Sequence, residues 1–206
     1  ENCNTYLQIS RKNNDCKGMH IKGTRQKNYC SRNGKTETER IIAAMKLIIT
    51  DLENFNIAVE GEYKLINPHG EVHPCIGCFG CWVRTPGKCV IRDGYEGTGI
   101  EMGKCSELIF ISKCCYGGLS PFIKTVQDRA ISYIHPDFVL RKGEMHHKRR
   151  YQNIISLSAY FYGENITEQE KETARNILEA NADNYDGTVK TVCFYQTAEE
   201  LEDIRL

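Results

Sequence analysis

The sequence lacks an excess of either charge: Lys plus Arg and Asp plus Glu each number 27, so the formal net charge is zero. A chain that grips phosphate backbones carries a basic surplus, so nucleic acid is not expected as a partner. It also lacks a long apolar run. The longest stretches, such as 41–49 and 108–111, fall far below the roughly 18–20 residues that cross a bilayer. No membrane helix is expected, no secretory pattern is read at the start, and the expected location is cytoplasmic. Internal repeats and low-complexity tracts are missing. With only 5 Pro and 17 Gly in 206 residues, a fibrous chain is excluded, and 40% hydrophobic against 26% charged residues excludes a disordered one. The expectation is one domain over residues 1–206, long enough to bury a real core.

Cysteine is the residue in surplus. There are 11, an odd number that cannot all pair within one molecule. Without a secretory pattern, reduced thiols are expected rather than a disulfide framework, and clustered cysteines then point to metal or redox chemistry. Cys75-Ile-Gly-Cys78-Phe-Gly-Cys81 is followed by Cys89 after seven residues. Thiolates two residues apart converge on one centre, and four complete the set for an iron–sulfur cluster or a tetrahedral zinc, with His69 and His73 close by as substitutes. The competing reading is a tight loop of free thiols with Trp82 packed over it. If metal is held, iron–sulfur is preferred, because zinc sites more often split their ligands into two separated pairs.

Along the chain, one of the stretches 6–10 and 19–23 is expected to be the first strand. Ile41, Ile42, Met45, Ile48, Ile49 and Leu52 recur at three- and four-residue spacing and predict a helix, with Asn33 as a cap and Glu37 and Glu39 in its first turn. Ile57, Val59, Tyr63 and Leu65 predict extended chain, residues 67–70 a turn and residues 93–104 a short helix. Leu108-Ile-Phe-Ile111 has the pattern of a buried strand, and residues 119–133 that of a helix. Residues 154–157 and 189–194 predict two more strands, and Ala198 to Ile204 a last short helix. Thr167-x-x-Glu170 is a capping box that opens a further helix. Strands alternating with helices indicate a parallel sheet covered on both faces, whose ligands sit beyond the carboxyl ends of the strands.

Three loops then draw attention. Asn33-Gly-Lys-Thr36 imitates the end of a Walker A loop, but the glycine required five positions before Gly34 is Tyr29, so a P-loop nucleotidase is not supported. What this region offers is hydroxyls, amides and a helix start, the parts that hold a phosphate. Ser112-Lys-Cys-Cys-Tyr-Gly-Gly-Leu-Ser-Pro121 follows the best strand; its glycines admit a flat ligand close to the backbone and Tyr116 offers a stacking contact. Ser158-Ala-Tyr-Phe-Tyr-Gly163 repeats hydroxyl, aromatic and glycine after the next strand.

Residues 74–82, 85–93 and 112–121, together with Lys124-x-x-x-Asp128-Arg129, resemble the flavodoxin-like NAD(P)H-dependent FMN reductase family, and the cysteine run resembles its iron–sulfur flavoprotein branch. The likeness covers about residues 19–195. It implies an α/β flavodoxin-like three-layer sandwich with a five-stranded parallel sheet in the order 2-1-3-4-5, and a cysteine-rich insertion at about 74–92. It also implies an FMN phosphate held by Thr24, Arg25, Ser31, Asn33, Lys35 and Thr36. The ring would lie by Lys113, Cys114, Cys115, Tyr116, Gly117 and Gly118, and by Ser158, Ala159, Tyr160, Tyr162 and Gly163. Lys113 replaces the family's usual proline and would steady electron density on the ring.

The activity so implied is FMN-dependent oxidation of NAD(P)H with transfer to a quinone, a flavin, another small molecule or a redox protein, by an enzyme that is a homodimer or homotetramer. The flavin performs the hydride and electron chemistry, so no catalytic side chain is expected. The NAD(P)H expectation rests on the resemblance alone, since Gly-x-Gly-x-x-Gly does not occur. The alternative is an iron–sulfur flavoprotein acting as a non-enzymatic electron carrier or redox sensor, in which FMN exchanges single electrons with a 4Fe-4S cluster at Cys75, Cys78, Cys81 and Cys89, and a cofactor-free zinc module is the third reading. Residues 144–150 are read as a solvated basic loop, and Asn165-Ile-Thr167 as a sequon without meaning in a cytosol.

Overall fold

The computed structural model describes residues 3–5 and 45–206. The chain builds a sheet from β1 (Cys3–Thr5), β2 (Lys46–Thr50), β3 (Tyr63–Ile66), β4 (Glu107–Lys113), β7 (Ser156–Tyr162) and β8 (Thr188–Tyr195). Its order is β1-β8-β7-β4-β2-β3. All neighbours are parallel except β1, which lies antiparallel to β8 at the edge. Counted among the five parallel strands alone, the order is 2-1-3-4-5, the expected one. The added antiparallel edge strand was not expected. Between β4 and β7 the chain forms a separate hairpin of β5 (Ile134–Arg141) and β6 (Glu144–Arg149). Among the described residues four helices accompany the strands: α1 (Gly80–Val83), α2 (Thr98–Met102), α3 (Pro121–Arg129) and α4 (Glu168–Tyr185).

The reason for β2 corrects the helix expected across residues 36–52. Within the described part of that span, Lys46–Thr50 is a strand, paired with β3 on one side and β4 on the other. Alternate residues go to opposite faces: Leu47 and Ile49 join the cluster that includes Leu108, Phe110, Leu157 and Phe161, while Ile48 joins Ile57, Ile109, Ile111 and Leu201. Both faces are buried, so the strand reads as a continuous apolar run, and such a run satisfies a helical stripe as readily as a strand. The two stretches proposed as first strand, 6–10 and 19–23, lie outside the described residues, and the first strand of the parallel order is β2.

Helices α2, α3 and α4 supply Met102, Ile123, Val126, Ala174 and Leu178 to the larger cluster. The smaller one packs under Leu52, Phe55 and Val59 and the 3-10 turn Glu199–Asp203, where a short helix was expected. Residues 119–133 divide into α3 and a 3-10 turn at Ile131–Tyr133. The expected capping box is present: the Glu170 amide donates to Thr167 Oγ1 at 3.3 Å and the Thr167 amide to the Glu170 carboxylate at 2.9 Å. Residues 144–149 are a strand, not a solvated loop. Lys142 and Gly143 both take positive φ, the two-residue turn that suits a hairpin's twist, and Arg149 is tied to Asp186. The cysteines from Cys75 to Cys115 are free thiols, whereas Cys193 is disulfide-bonded, against the expectation of reduced thiols throughout. Among the described residues no helix is long and apolar enough to cross a membrane.

Candidate functional site

The four cysteines singled out in the sequence line one cavity of about 290 Å³. Gly77 at φ +64 and Phe79 at φ 54 turn the chain sharply between Cys75 and Cys81, and the α1 turn carries Cys81 inward. A Cβ on Gly80 would meet Val90 Cγ1 at 2.5 Å, so the loop needs glycine to close on the strand of chain that bears Cys89. Gly87 reverses that chain, its amide donating to Cys81 O at 3.0 Å, and the Cys89 amide donates to Glu96 O at 2.9 Å. Trp82 anchors the loop to the hairpin by donating from Nε1 to Ile134 O at 3.1 Å. Cys75 and Cys78 are exposed and Cys81 and Cys89 buried. Burial pushes the Cys81 thiol up, and Cys89, Cys75 and Cys78 push it further, which states in electrostatic terms that all four gather together.

Beside the cysteines stands a buried ion pair without an assigned role, of which Arg129 lines the cavity and Asp93 holds it in place. Arg129, at the end of α3, has a fully buried side chain. Its guanidinium donates to the Asp93 carboxylate, to His73 O at 3.3 Å and to Ile91 O at 3.0 Å. Asp93 also accepts the amides of His73 at 3.0 Å and Tyr95 at 3.2 Å. Burial works to raise its carboxyl pKa, but Arg129 and those amides outweigh burial and hold it down at about 2. Neither role was legible in advance; the only signal was an Asp and an Arg inside the motifs flanking the cysteine run. Among the described residues no group of three or more His, Cys, Asp or Glu side chains is already drawn into a metal-ligating arrangement. The donor set nonetheless suits a soft-metal centre: four thiols on one cavity, with the Asp93-paired guanidinium of Arg129 beside them.

The second part of the site lies at the carboxyl ends of β4 and β7. Lys113 pairs with Tyr162, and the Cys114 amide donates to Tyr162 O at 2.8 Å. Cys115 and Gly118 exchange backbone bonds of 3.0 and 2.8 Å, closing a turn in which Tyr116 and Gly117 take φ of 53° and 79°. A Cβ on Gly117 would meet Thr173 Cβ at 2.7 Å and Glu170 O at 2.8 Å, so the turn is seated on α4. Tyr116 stands 93% exposed. Lys113 to Gly118 and Tyr162 to Gly163 therefore lie side by side. Ser158 and Ala159 do not reach this edge: β7 runs on to Tyr162, and both are buried inside the sheet, Ser158 donating to Glu107 at 3.1 Å. Tyr160 also lies within the strand, packed against the smaller cluster.

The strand order reverses between β2 and β4, which is where a doubly wound sheet opens its crevice. There the Asp51 carboxylate accepts the Lys113 amide at 3.0 Å and the Tyr162 hydroxyl at 3.1 Å. Burial, then the neighbouring Asp51, raises the Tyr162 pKa. Chain 51–62 carries Asp51, Glu53, Glu60 and Glu62 and no Lys, Arg, Ser or Thr. The loop that follows the first parallel strand thus does not suit a phosphate. Thr24, Arg25, Ser31, Asn33, Lys35 and Thr36 lie outside the described residues. Comparison with protein-family models gave no match, and comparison with curated proteins gave none.

Proposed function

We propose that the protein is an oxidoreductase of the flavodoxin-like NAD(P)H-dependent FMN reductase kind, a three-layer sandwich carrying the four-cysteine centre of the iron–sulfur branch. The observation that carries the reading is the meeting of Cys75, Cys78, Cys81 and Cys89 on one cavity beside a buried guanidinium. A bound flavin would supply the hydride and electron chemistry. The chain's own part is to seat the ring against Tyr116, Gly117, Gly118 and Gly163, to present the Lys113 and Cys114 backbone at its edge, and to hold the cluster with four thiolates. NAD(P)H is the proposed donor, and a quinone, a flavin, another small molecule or a redox protein the proposed acceptor, with a cytoplasmic homodimer or homotetramer as the working form.

The acidic switch point favours a second reading, in which the four-cysteine centre works alone as an electron carrier or sensor. One anaerobic absorbance spectrum, before and after NADPH, separates the two. Flavin bands that bleach support the reductase. Broad iron–sulfur absorbance without flavin supports the carrier, and a colourless protein that takes up neither FMN nor iron rejects both.

A further inference from the structure

The buried guanidinium of Arg129 is more than a structural cross-link. NH1 and NH2 are taken up by Asp93, His73 O and Ile91 O, whereas Nε is buried without a hydrogen-bond partner. A buried N–H left unpaired forfeits its hydration without recompense, so native structures keep few of them, and each calls for an explanation such as strain, a functional role, or a water or ion that meets it. Arg129 lines the cysteine cavity, and the sulfur of Cys89 is the other polar neighbour that bears on its guanidinium. Cys89 itself is buried at 7% exposure.

We infer that Arg129 Nε–H is a hydrogen-bond donor reserved for the sulfur of the loaded four-cysteine centre, which makes Arg129 the residue that sets how readily the centre accepts an electron. The inference rests on the iron–sulfur reading proposed above. Adding an electron to a thiolate-ligated cluster adds negative charge to sulfur, and hydrogen bonds to the sulfurs are among the features that set a cluster's potential. A donor fixed in place by Asp93 and two carbonyls loses little rotamer freedom when it engages, and at its buried end of the cavity its field is weakly screened. Asp93 has the complementary task of holding the guanidinium in register, so it is a positioning residue in this scheme.

The test compares wild type with two variants. Arg129→Lys keeps the cation beside Asp93 and removes Nε–H; Arg129→Met combined with Asp93→Asn removes both charges, so no buried charge is stranded. Each protein is reconstituted anaerobically with equal amounts of ferric and ferrous iron and with sulfide, and titrated with dithionite, which gives up one electron per cluster reduced, while paramagnetic resonance follows the product. Both variants are expected to reduce less readily, at least tenfold in the reduction equilibrium, or about 59 mV toward more negative potential. A potential unchanged in both variants overturns the inference while leaving the four-cysteine reading intact. Wild-type protein that assembles no cluster overturns that reading instead, and the inference with it.

Discussion

Replacing Asp93 by Asn in the metal-free protein removes the acceptor that holds Arg129, and the consequence depends on pH in a calculable way. The Asp93 side chain is only 6% exposed, so solvent screening discounts little. Its carboxyl is held at about 2 against an ordinary 3.8. That depression is worth roughly 2 kcal/mol of folding stability at neutral pH. Because the folded-state value is the lower one, this stability is fully present above about pH 4 and is lost as pH falls through 3.8 toward 2. Only a few tenths of a kcal/mol, approximately, should remain at pH 2. The Asn variant also strands the guanidinium, and breaking one side of a buried pair costs about 3–5 kcal/mol. Urea unfolding of both proteins at pH 7, 5, 3 and 2 reads the difference directly. The expected gap is at least 2 kcal/mol at pH 7 and shrinks steadily below pH 4. A gap that stays constant across the series would refute the assignment of acid sensitivity to this pair.

Three further outcomes follow from the same structure. Thr167→Ala removes the acceptor for the Glu170 amide and should lower stability by about 1 kcal/mol in a thermal or urea melt; no change would mean that the cap is satisfied by water. Gly117→Ala places a Cβ at φ +79 and within 2.8 Å of Glu170 O. It should cost about 1–3 kcal/mol and weaken flavin uptake by more than its effect on iron content. Asp51→Asn removes a carboxylate from the switch-point crevice, where it now accepts from Lys113 and Tyr162. It should raise affinity for FMN more than for riboflavin by equilibrium fluorescence titration, and an equal effect on the two would show that the phosphate does not approach Asp51.

Local chemistry was readable where one short stretch decides it. The Thr167 capping box and the Leu108-Ile-Phe-Ile111 strand depend on neighbours within a few residues, and the structure bears out both as elements, while the four closely spaced cysteines line one cavity without being drawn into a ligating arrangement. The 2-1-3-4-5 order of the parallel strands was reached through resemblance, since no spacing in a single chain states which strand lies beside which. Tertiary structure alone decided the rest. Leu47-Ile-Ile49 became a strand because both faces of its sheet are covered, a condition that periodicity cannot see. Ser158 and Ala159 went to the core because β7 is paired on both sides through Tyr162. Residues 144–149 became a strand because a partner strand lies across a two-residue turn. Arg129, which lies 36 residues from Asp93, found it only when α3 packed against the cysteine loop, and no local pattern announces a pairing whose energy comes from burial of both partners.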